Sequence, residues 1–195
     1  MAAFDVNSKL DPDNPESEAF YVCGWDNDSG SGIVVHGTKR GGTGRHQWRF
    51  WHTVNAPKDA ESGVDPVRTE FHGVESLDGP FIRAVGRVIN SDDSALGFFY
   101  EGPVDGSGDW YPIAAPDAEE TIVKASCGPV LVCSPDDLSD EVHVYSLSNN
   151  GWSVLHTGFA EEWNVEEIIP AGDAFIIRLL HTGGRRSDVV YSAKP

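Results

Sequence analysis

Val130-Leu-Val-Cys-Ser134, a polar loop, Val142-His-Val-Tyr145 and, seven positions on, Trp152 make up one unit that the chain repeats four times with variations. The opening apolar run returns as Phe20-Tyr-Val-Cys-Gly24, Phe81-Ile-Arg-Ala-Val85 and Phe175-Ile-Ile-Arg-Leu179. The second run returns as Ile33-Val-Val-His36, Gly97-Phe-Phe-Tyr100 and Asp188-Val-Val-Tyr191, each ending on a ring with a polar tip. From the first apolar residue to that ring the spacing is 16, 19, 15 and 16 residues. Trp48 and Trp110 stand where Trp152 stands, opening a third run. Runs rich in Val, Ile, Phe and Tyr, bounded by turn clusters such as Asp78-Gly79-Pro80 and Cys127-Gly128-Pro129, are strand signals. Twenty-one glycines and twelve prolines leave little room for long helices. The one stretch with a helical pattern is Phe159–Ile168, held short by Gly158 and Pro170.

The modules start near 20, 81, 130 and 175, a period of 61, 49 and 45 residues, with an insertion at Asn55–Arg68 in the first. A period of about 40 to 50 residues built of short strands is the pattern of a β-propeller. The expected fold is therefore all-β, a single propeller-like domain over residues 1–195 with about four blades. The alternation of Phe4, Val6, Ser8 and Leu10 predicts an N-terminal strand that closes the last blade and removes two open edges. An open half-ring completed by dimerisation and an orthogonal sandwich are the competing geometries.

The segment Val142-His-Val-Tyr145-Ser-Leu-Ser-Asn-Asn-Gly-Trp152 resembles a kelch-type blade, in which a strand ending in Tyr leads through a polar hairpin to a Trp. Gly106-Ser-Gly-Asp-Trp110 after Tyr100 looks like a stretched version. The Gly-Gly pair usual after the inner strand of that family is missing. The resemblance implies a propeller used for binding, and it carries over no catalytic residue.

Charge narrows the function classes. Fourteen Lys and Arg stand against 31 Asp and Glu, a net charge of −17. Such a chain repels a phosphate backbone, which excludes sequence-independent nucleic-acid binding, and no apolar run has the length of a membrane helix. Met1-Ala2-Ala3-Phe4-Asp5 lacks the basic-then-apolar pattern of a secretory leader. Cys23, Cys127 and Cys133 lack zinc-like spacing and read as small apolar residues in a reducing compartment. The expectation is a cytoplasmic protein, monomer or homodimer.

Alternate hairpins of a blade point to opposite ends, which sorts the loops. Asp26 and Asp28, Asp92 and Asp93, and Asp136, Asp137 and Asp140 occupy corresponding loops and predict an acidic face that meets a basic protein segment. Asp and Asn are also good turn formers in their own right. Asp26-Asn-Asp-Ser-Gly-Ser-Gly32 places hard oxygens at alternating positions, the ligand type of calcium, but Ser31 and Gly37 break the EF-hand template at its sixth and twelfth positions. No metal site is otherwise indicated, and no cofactor other than calcium is suggested by the residues. At the opposite end Lys39, Arg40 and Arg45, among glycines, form a basic island that could cradle an anion.

Placing the module-opening runs innermost makes Cys23, Cys133 and Arg178 converge on an axis, with His36, Arg83 and His181 on or near the inner strands. Function is thus expected to be non-enzymatic recognition of a protein partner. The alternatives are an enzyme using that axial pocket, or sugar binding by loop aromatics. No Gly-x-Ser-x-Gly elbow or His-Glu-x-x-His pair appears.

Overall fold

Residues 6–11, 14–39, 46–57, 65–77, 81–116, 120–134, 141–156, 162–171 and 174–192 are described by a computed structural model. They form fifteen strands in four antiparallel sheets, each a simple meander in chain order. The first sheet holds β1 (Val6–Asp11), β2 (Asn14–Trp25), β3 (Gly32–Lys39) and β4 (His46–Val54). The second holds β5 (Pro66–Ser76), β6 (Phe81–Asn90), β7 (Ala95–Pro103) and β8 (Asp109–Ile113). The third holds β9 (Ile122–Cys127), β10 (Val130–Ser134), β11 (Glu141–Ser146) and β12 (Gly151–His156). The fourth has β13 (Trp163–Ala171), β14 (Ala174–His181) and β15 (Arg186–Ser192).

The four module-opening runs thus lie in β2, β6, β10 and β14, the second strand of each sheet rather than the first. Two expectations need correction. The N-terminal strand β1 pairs with β2, from Val6 opposite Val22 to Leu10 opposite Glu18, so it heads the first sheet and does not close the fourth. The helical pattern over 159–168 is a strand from Trp163 onward. A register shift between Val165 and Glu167 inserts Glu166 as an extra residue. This bulge breaks the two-residue alternation, so that Trp163 and Ile168, five positions apart, both pack on the core.

The sheets stack face to face in succession, and their clusters show why the second strands read as continuous apolar runs. Tyr21, Cys23, Val34, Phe71, Ile82 and Ala84 pack between the first and second sheets. Val85, Phe99, Val123, Leu131 and Cys133 pack between the second and third. Val130, Val132, Ile168, Phe175, Ile177 and Leu179 pack between the third and fourth. Neighbours in sequence, such as Ala84 and Val85, therefore serve different clusters. Among the described residues the fourth sheet makes no close strand packing on the first.

Arg83 clasps the second sheet to the third. Its guanidinium donates to Glu101 at 2.7 Å, to Glu75 and to Ser126 Oγ at 3.2 Å each, and to the Gly128 carbonyl at 2.7 Å. Arg83→Met should cost about 2 kcal/mol, because two half-buried carboxylates lose their cation. A lower urea midpoint at unchanged m-value is the expected readout, and an unaltered midpoint would show that the clasp contributes nothing.

Candidate functional site

The meander and the packing of successive sheets send the β2–β3, β6–β7 and β14–β15 loops to one end of the stack. Two of the acidic loops fall within the described residues. Asp26 accepts from Ser29 Oγ at 2.7 Å and from Asp28 N at 3.1 Å. Asp92 accepts from Ser94 Oγ at 2.6 Å and Ser94 N at 3.1 Å. The Ser29 and Ser94 bonds hold both carboxyls below the ordinary aspartate range, so these two aspartates build their own turns. Asp105, at the opposite end, does the same with Ser107. Asp28 and Asp93 are the exposed members whose carboxylates make no hydrogen bond or ion pair among the described residues. Asp93 sits in the left-handed region at φ 64°.

The two loops are tied to the start of β5. Thr69 N donates to Gly30 O at 2.9 Å, and Ser91 N donates to Asp65 O at 3.0 Å. Asp65 and Glu120, both in connections at this end, extend the acidic surface; their isolation in sequence gave no signal of it. Asp136, Asp137 and Asp140 lie outside the described residues, as do Arg40 and Arg45. Lys39 ends β3 at the opposite end. Among the described residues no group of three or more His, Cys, Asp or Glu could hold a metal ion, and the Asp26 carboxylate is occupied by its turn.

The axial set does not converge. Cys23 and Cys133 are fully buried in different clusters, and burial pushes the Cys133 thiol well above its ordinary range, the opposite of activation. His36 stacks on Tyr21 with ring centroids 4.9 Å apart. Arg83 is the clasp between sheets. His181 closes the β14–β15 turn: Gly183 N donates to its Nδ1 at 2.8 Å, so Nε2 carries the proton and donates to Glu162 at 2.9 Å. Arg185 lies over Trp163, 5.9 Å from the ring centroid.

Arg178 belongs to a feature that sequence reasoning missed. On the face of the fourth sheet turned away from the third, it donates to Glu167 at 2.8 Å and to Asp188 at 3.0 Å. Beside it Arg186 donates to Glu166 at 2.7 Å. The bulge in β13 is what turns two consecutive glutamates onto this one face. These residues and Ser187 line an open depression of about 640 Å³. Exposed ion pairs add little stability, so the ladder contributes a pattern of charge more than strength.

No family model matches the chain, and no curated protein matches it.

Proposed function

We propose that this protein is a non-enzymatic binding module, built as a small propeller-like array of about four kelch-like blades, that recognises a partner protein through a basic segment. The observation that carries the reading is the pair of acidic loops at one end, anchored side by side on β5, in a chain of charge −17. A rigid scaffold that presents mobile-tipped polar loops is a common binding arrangement, and a surplus of one charge steers an oppositely charged partner and raises its association rate. In the same reading the protein works in the cytoplasm as a monomer or homodimer. Three buried thiols, none of them in a disulfide, support a reducing compartment, and no helix among the described residues is long and apolar enough to cross a membrane.

The test is the association rate with a lysine-rich peptide, measured by stopped-flow fluorescence. The rate should fall several-fold between about 20 mM and about 200 mM salt as screening shortens the reach of the charges. The double variant Asp28→Asn/Asp93→Asn should show a slower rate at low salt with its fold unchanged, since neither carboxylate builds a turn. Rates indifferent to both changes would end the proposal.

A further inference from the structure

Among the described residues the fourth sheet has three strands where the other three have four, and β15 pairs only with β14. Its outward polar groups follow from the ladder. His181 N donates to Arg185 O at 2.8 Å, which makes 181 and 185 a hydrogen-bonded pair. Such pairs alternate with non-bonded ones in an antiparallel ladder, and the register runs unbroken from Leu180 opposite Arg186 to Ala174 opposite Ser192. Ser187, Val189 and Tyr191 therefore bond inward to β14. The N–H and C=O groups of Arg186, Asp188, Val190 and Ser192 point away from the sheet.

The free face carries rows across the strands that end at this edge. Glu167, Arg178 and Asp188 stand in register, acidic, basic, acidic. Ile169, Ile176 and Val190 form an apolar row beside it, and Val190 is 67% exposed. We propose that β15 accepts a fourth strand from an extended peptide of the partner, with a basic side chain opposite Asp188 and an apolar one opposite Val190. In the antiparallel sense the peptide reads apolar-x-basic. Main-chain bonds supply affinity in such strand addition, and alternate side chains supply specificity. A directly opposed unlike charge is favourable and a like one unfavourable. A second copy of the chain is a poorer occupant, because two bodies of charge −17 repel. The inference rests on the reading that the partner is basic and adds where its backbone lies.

The probe is the fluorescein-labelled peptide Lys-Thr-Val-Thr-Lys-Thr-Lys, with Glu in place of Lys as the control. The basic peptide should bind at low salt and protect the amides of Arg186, Asp188, Val190 and Ser192 from hydrogen exchange, and the control should not bind. Val190→Pro removes an outward N–H and spares the inward ladder, a position where an edge strand tolerates proline. It should weaken binding about tenfold or more with an unchanged circular-dichroism spectrum. Should that variant misfold, Asp188→Asn is the second one, with weaker binding expected and its fold checked the same way. Binding without protection of those amides, or undiminished binding by a folded variant, overturns strand addition and leaves the acidic-loop reading standing. No binding of the basic peptide at low salt overturns both. Protection of the same amides in the protein alone, with a doubled mass in solution, assigns the edge to a second copy and also overturns the inference.

Discussion

Glu70→Gln should lower the unfolding free energy by about 3 kcal/mol or more at pH 7, the usual cost of removing one partner from a buried ion pair. Glu70 lies in β5 with its side chain 2% exposed, held by Arg87 Nε at 2.6 Å. Arg68 Nη1 lies at 3.4 Å and His72 Nε2 at 3.6 Å. Burial acts to raise its pKa, but His72 and Arg87 outweigh it and hold the carboxyl at about 2, against an ordinary 4.5. A carboxyl depressed in the folded state stabilises the fold at pH values above 4.5, and that contribution fades as the pH falls from 4.5 towards 2. Burial also lowers the pKa of His72 below its ordinary 6.5. Below that pH the unfolded chain takes up a proton that the folded one resists, so His72 too makes the fold less stable on acidification. Thermal melts of wild type and Glu70→Gln from pH 8 to pH 3 should therefore converge below pH 4.5. Parallel curves down to pH 3 would mean that Glu70 titrates normally.

Gly86→Ala should be as damaging or more so. Gly86 stands opposite Phe71, at the register shift where β6 pairs with β5, and a Cβ there would lie 1.8 Å from the Glu70 carbonyl oxygen and 2.9 Å from its carbon. Those are backbone atoms in a strand packed on both sides, so relief requires parting β5 from β6. The expected loss is about 3 kcal/mol or more, at the upper end of overpacking effects. Gly128→Ala is the comparison. There φ is +59° and nothing lies within 4 Å, so only the left-handed backbone opposes a side chain, at about 1 kcal/mol. Equal urea midpoints for the two variants would contradict the close approach at Gly86.

The second and third strands of each sheet were legible in the sequence because both their faces or one whole face are apolar, which leaves runs such as Val130–Cys133 and Gly97–Tyr100 intact. Of the first strands, β1 was legible by its alternation though not its pairing with β2, and the others were not. β5 buries Glu70 and Thr69 beside Phe71, so its composition reads as a polar insertion, and its bulge between Phe71 and Gly73 breaks the alternation. β13 failed in the same way at Glu166. With β5 and β13 hidden in this way the second strands look innermost, whereas Cys23, Cys133 and Arg178 lie in two different clusters and on an outer face. The acidic loops were legible as composition, but not the division of labour within them. That depends on which carboxylate the neighbouring serine captures, as Ser29 captures Asp26 and leaves Asp28 to solvent.

Because β6 and β10 each lend alternate side chains to two clusters, every internal sheet is a shared wall, and the stack behaves as a row of nearest-neighbour couplings. Among the described residues the second and third sheets are braced on both sides by these clusters, the first and the fourth on one side each. Opening then starts most easily at either end of the row, where loss of one sheet breaks one wall, and becomes steeply costlier inward. The strand edge proposed to take a partner sits on one of these end layers, so whatever docks there would also act as a splint, coupling occupancy at β15 to the cohesion of the row behind it.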